Sequence, residues 1–329
     1  MTYSSGSLIL DDDYNIFVQG GASSPSGATA NVNNIWGTGL SQTYGWGQSG
    51  NLSTVSAGTE ITATQWANLL NRIDTIADHT NTTITAITDP SAGDTIEVYA
   101  ALSTNLSAVY SARLNAAANG TDITTNGTTT TTSTWNTSAI TTKTVTFGST
   151  TEAKYFFNAG GHIRMSFSLT GGSDAKSAEW ADLLTKTGTI VIAATGSDPS
   201  SIIIAGTTYN GTTKIGGSGT PDTLAATIGF AQLTGALQTL FKQYADSAPY
   251  TANYILIESS LSGAVLTVKV SLIDDAVDTI APDGSGSGDA ADIVDGTLTM
   301  TTVVRPPSTT YLSQTWGTPS MNAATWTVS

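Results

Sequence analysis

The sequence predicts a mainly β protein: an antiparallel β-sandwich body with a few packed helices, preceded by an extended N-terminal arm and a helical segment. Three observations lead there. Thr, a β-branched residue that fits pleated, half-buried strands, dominates in runs such as Thr128 to Thr132. Short apolar–polar alternations recur between Gly-rich turns from residue 141 onward. The regular strand–helix alternation that a parallel α/β sheet requires is absent.

Residues 1–60 read as the extended arm, with short strands at Leu8–Leu10 and Tyr14–Val18. Trp36, Tyr44 and Trp46 stand among glycines in this arm. A segment so rich in Gly has no core of its own, so these rings bury against the main body or a neighbouring subunit. Residues 61–118 form the helical segment. Thr62 and Gln65 have the spacing of a capping box, which satisfies free amide donors at a helix start. Trp66, Leu69, Leu70, Ile73 and Ile76 then make one apolar stripe. Asp94 caps a second helix through Ala117, whose Tyr99, Leu102, Leu106, Val109 and Arg113 follow a 3-4-3-4 rhythm that suits a short bundle or an oligomer seam. Residues 119–140, low in complexity and with little to bury, read as a linker or exposed loop.

The β-sandwich domain spans 141–329. Strands are expected at Thr142–Phe147, Ala153–Phe157, His162–Leu169, Thr189–Ala194, Ser201–Ala205, Thr213–Ile215, Asn253–Ser259, Ala264–Leu272 and Gly296–Val304. A short helix carries Trp180, Leu183 and Leu184, and a second is expected over Phe230–Ala245. The run Asp283–Asp289 reads as a flexible loop.

Charge is scarce. Charged residues are 11% of the 329, against about 25% in an ordinary globular protein. A neutral, hydroxyl-rich, β-prone surface suits packing against copies of itself, because few charges must be desolvated when an interface closes. The net charge of -14, with 11 Lys and Arg and no basic stripe, argues against nucleic acid and against an anionic membrane surface. With no Cys there are no disulfides or thiolate sites. No signal peptide or membrane span is legible, so synthesis in a host cytoplasm is expected.

Catalytic, cofactor and metal residues are expected to be none. The two histidines, His79 and His162, form no zinc pattern, and His79 at a helix end reads as a cation facing the helix dipole. Gly216–Thr220 gives GGSGT, not a nucleophile elbow. Five Glu occur, and no pairing of carboxylates across a cleft is legible. The clusters Asp11–Asp13 and Asp274–Asp275 read as solvated acid more readily than as Ca²⁺ ligands. Trp36, Tyr44, Trp46, Trp316 and Trp326 serve equally as sugar-binding platforms or as interface anchors.

Two segments carry a resemblance. The stretch from Val32 through Leu69, with Tyr44-Gly-Trp-Gly-Gln48 in it, resembles the N-terminal region of structural proteins from marine and cyanobacterial tailed phages, chiefly contractile-tailed ones. The run Tyr155-Phe-Phe-Asn-Ala-Gly-Gly-His-Ile-Arg164, followed by Trp180-Ala-Asp-Leu-Leu184, resembles their central motif. The resemblance implies a virion component of the tail, neck or fibre apparatus, partnered by copies of itself and by other virion proteins. It brings no catalytic residue. A host-surface glycan-binding fibre module and a capsid decoration protein are the alternatives. Candidate assembly residues are Trp36, Tyr44, Trp46, Trp66, Phe156, Phe157, Arg164, Trp316 and Trp326, with Phe156 and Phe157 on opposite faces of a strand and Arg164 paired to a carboxylate.

Overall fold

The computed structural model describes residues 11–21, 29–39, 44–91, 99–276 and 293–329. Its helices are α1 (Asp11–Gln19), α2 (Val32–Trp36), α3 (Ala63–Thr80), α4 (Tyr99–Ser111), α5 (Thr150–Asn158) and α6 (Ala175–Thr187). The strands are β1 (Thr128–Thr131), β2 (Ser138–Thr146), β3 (His162–Thr170), β4 (Thr189–Ile192), β5 (Ile202–Ile204), β6 (Thr207–Tyr209), β7 (Thr212–Ile215), β8 (Thr223–Leu224), β9 (Gln238–Tyr244), β10 (Tyr254–Ser262), β11 (Val265–Ile273), β12 (Thr297–Arg305), β13 (Ser320–Met321) and β14 (Trp326–Val328).

Two antiparallel sheets make the body, as the composition predicts. One runs β1-β12-β3-β4-β7; the other runs β13-β2-β11-β10-β9-β8, with β14 also paired to β2. Alternation places Ile163, Met165, Phe167 and Leu169 of β3, and Leu298, Met300 and Val304 of β12, in the core. The hairpin β5–β6 turns at Ala205-Gly206, both at positive φ, as a tight two-residue turn requires. The sheets meet at one corner, where the Trp326 indole of β14 donates to the Thr129 carbonyl of β1 at 3.1 Å.

The stripe on α3 is fully buried, and Thr62 and Gln65 form the reciprocal cap that their spacing predicts. Asn81 ends the helix in the left-handed conformation that Asn tolerates. The second helix is shorter than expected, ending at Ser111; Asp94, the Leu8–Leu10 strand and the Asp283–Asp289 loop lie outside the described residues.

Four expectations are corrected. Asp11–Gln19 and Val32–Trp36 of the arm are helical rather than extended, and Tyr14–Val18 belongs to α1, whose first turn carries Asp11, Asp12 and Asp13 where acid suits the helix dipole. The 119–140 tract is not a linker: Asn119, Ile123, β1 and Trp135 bond to Pro307, Val304, β12 and Val294, so its threonines serve as strand formers. The expected strand over Ala153–Phe157 is helix α5, capped by the Ser149 hydroxyl accepting from the Glu152 amide. The expected helix over Phe230–Ala245 is a single 3-10 turn and then β9. A bulge opposite Ile257/Glu258 lets adjacent Leu240 and Phe241 both face the core, which imitates helical spacing.

Candidate functional site

The Gly-rich segment of the arm docks onto this chain's own body. Trp46 is buried, its indole donating to the carbonyls of Arg113 and Asn158, each at 3.0 Å. The Asn158 carboxamide donates back to the carbonyls of Tyr44 (2.9 Å) and Gly45 (3.1 Å). Gln48 bonds the backbone of Ser313 in both directions, and the Thr315 hydroxyl donates to the Trp46 carbonyl. Tyr44 stacks on Tyr110, and the buried Arg113 guanidinium sits 4.3 Å from the Tyr110 ring and pairs with Asp198 at 3.4 Å.

The other expected interface rings also lie in the core. Trp66 packs near Tyr14, Phe156 lies edge-on to Phe147, Phe157 stacks on Phe230 at 4.3 Å, and Trp316 and Trp326 are buried. Phe156 and Phe157 both reach the core because neighbouring positions on a helix are about 100° apart, so opposite strand faces do not apply. Among the nine candidates, Trp36, Tyr44 and Arg164 are half-buried and the other six are buried. Arg164 makes no ion pair among the described residues; it is Arg305 that holds Asp122, through two bonds of 2.6 Å. That contact holds the Asp122 carboxyl below its ordinary range.

Neither histidine is a surface cation. Burial lowers both to about 4, His79 with its Nε2 3.1 Å from the Ala159 carbonyl and His162 with its Nδ1 3.3 Å from that of Gly160. Asp274 is buried against Lys176 at 2.7 Å and not solvated as expected, because α6 delivers its first turn to the end of β11. Carboxylate oxygens of Glu179, Asp182 and Asp246 lie within 4.8 Å of one another, but Lys186 occupies the cluster, 2.5 Å from Asp182 and 2.7 Å from Asp246.

Two surfaces stand out among the described residues. A recess of about 690 Å³ lies between the outer face of α3 and the segment 50–53, with Trp36 on its wall. The solvent face of the five-stranded sheet is a ladder of hydroxyls, with Thr128, Thr301 and Ser166 in one row and Thr130, Thr299 and Ser168 in the next. Sequence reasoning named Trp36 but missed Asn51, Asn68 and Asn71 in the recess, because Asn on the polar side of a helix reads as ordinary solvation. No protein-family model, curated protein or solved structure matches the chain. No helix among the described residues is long and apolar enough to cross a membrane.

Proposed function

We propose that this chain is a non-enzymatic structural subunit of a bacteriophage virion, built into the tail, neck or fibre apparatus by self-association and by docking to other virion proteins. The hydroxyl ladder carries the self-association half of the reading. Three strands present two rows without a charge, so a partner seated on those rows meets no ion until Arg164 in the next row, and Thr pairs contribute methyl packing and hydrogen bonds across strands. The phage half rests on the resemblance of the 32–69 and 155–184 segments. The burial of the rings in the chain's own core moves the expected interface from aromatic anchors to this hydroxyl face.

Sedimentation of the full chain at micromolar concentration tests self-association. The wild type sediments as an oligomer, and Thr299→Glu, which puts an unpaired carboxylate in the middle of the ladder, shifts it toward monomer. A wild-type chain that stays monomeric at every concentration refutes the self-association half. Mass spectrometry of purified phage particles tests the rest: the chain is present in stoichiometric amount, and its absence from particles defeats the assignment.

A further inference from the structure

The geometry points to the recess beside Trp36 as a binding site for a neutral saccharide. This inference does not depend on assembly into a particle.

The recess is rigid at its edges. The Trp36 indole donates to the Ser49 carbonyl at 2.8 Å, and the Arg72 guanidinium lies 3.9 Å from its ring while donating to the Gly50 carbonyl at 3.1 Å. The Asn33 carboxamide exchanges two 2.9 Å bonds with the backbone of Leu52. Opposite, α3 is fixed by its capping box and its buried stripe.

Into this frame project side chains that the fold does not use. Asn51, Asn68 and Asn71 line the recess, are exposed, and make no side-chain hydrogen bond within the described chain. Gln65 and Thr75, by contrast, spend theirs on the helix cap and on the Asn71 carbonyl. A carboxamide both donates and accepts, as a sugar hydroxyl does, so three convergent amides match a polyol. Trp36 and Leu52 add an apolar wall for the C–H face of a ring. The volume falls within the roughly 300–1,000 Å³ of small-molecule sites.

The charge pattern selects among sugars. Among the described residues no carboxylate lines the recess, and the one cation there, Arg72, stacks on Trp36 and donates through one nitrogen to Gly50, while its other terminal nitrogen is buried without a partner, a spare donor that a sugar hydroxyl can meet. A chain of net charge -14 repels polyanions at a distance, so the fitting ligand is uncharged. Without a facing carboxylate pair the recess holds a sugar and does not cleave it.

The test is calorimetric titration of the full chain with glucose, galactose, N-acetylglucosamine and rhamnose, with galacturonate as the anionic comparison. At least one neutral sugar binds in the millimolar range. The Asn68→Ala/Asn71→Ala variant, folded by circular dichroism, binds it about tenfold or more weakly. Should that double variant misfold, Asn51→Ala on the opposite wall replaces it with the same expected loss. Failure of all four neutral sugars to bind, unchanged affinity in a folded variant, or binding of galacturonate alone each overturns the proposal.

Discussion

The indole of Trp46 donates to the backbone carbonyl of Asn158 at 3.0 Å, while the side chain of Asn158 donates to the two carbonyls that precede Trp46, at 2.9 and 3.1 Å. Two stretches more than a hundred residues apart are thereby one unit. The bonds run in both directions, side chain to backbone, so each stretch satisfies polar groups of the other.

Replacing Asn158 by Ala removes both donors and leaves one buried and one part-buried carbonyl without these partners, at about 1–3 kcal/mol each before relaxation. The expected result is a loss of roughly 2–4 kcal/mol in urea unfolding, with faster proteolysis between residues 44 and 50. Unchanged stability would show that the segment is held by burial alone.

Gly47 tests the same contact from the other side. Its φ is +70°, and an added Cβ would stand 2.2 Å from the Tyr155 ring. Gly58 has a φ of +77° but nothing within 4 Å of its Cβ position. Gly58→Ala therefore costs about 1 kcal/mol from backbone strain, whereas Gly47→Ala costs at least ~2 kcal/mol more. Trimming the ring in Gly47→Ala/Tyr155→Ala recovers part of the excess. Equal costs for the two single variants would exclude the steric argument.

These contacts explain what was legible beforehand. The α3 stripe, its Thr62–Gln65 cap, the alternation of β3 and the strands β10 and β11 follow from local periodicity and appear close to where they are expected, while the pairing of β10 with β11 is supplied by the structure. β9 was hidden because the extra residue at its bulge breaks period two. Helix α5 was hidden because Tyr155, Phe156 and Phe157 have strand propensity and the helix is held by tertiary packing. That Trp46 must bury was readable; that it buries against Asn158 was not, since hydropathy carries no direction. Trp36 was likewise legible as a candidate, but the amides that complete its recess become a site only once segment 50–53 folds over α3.

The buried pair Lys176–Asp274, each side chain 1% exposed and 2.7 Å apart, joins α6 to the seven-stranded sheet. Lys176→Met strands a carboxylate in the interior and is expected to cost about 3–5 kcal/mol. Lys176→Met/Asp274→Leu removes both charges and recovers most of that loss, since an apolar pair of similar volume has no desolvation cost to offset. Additive effects in this double-mutant cycle would mean that the two charges do not interact.

His79 and His162 give the fold an acid limit. In the unfolded chain an imidazole takes its proton at about pH 6.5, whereas burial holds both folded rings neutral down to about 4. The unfolded state therefore binds more protons throughout that interval. The stabilisation is complete above about pH 6.5 and is withdrawn as the pH falls toward 4, by roughly 3 kcal/mol for each ring. Asp122 and Asp295 are held below the ordinary carboxylate range, Asp295 at about 2, so their contributions are lost under more acid conditions, while Asp74, raised by burial and by Asp78 and Asp89, works in the opposite sense at the acid end of the window. His162→Phe keeps an aromatic ring beside Tyr209 but cannot be protonated. In urea titrations between pH 7 and pH 4.5 its stability should fall about half as steeply as that of the wild type. Parallel curves for the two proteins would mean that His162 does not set the acid limit.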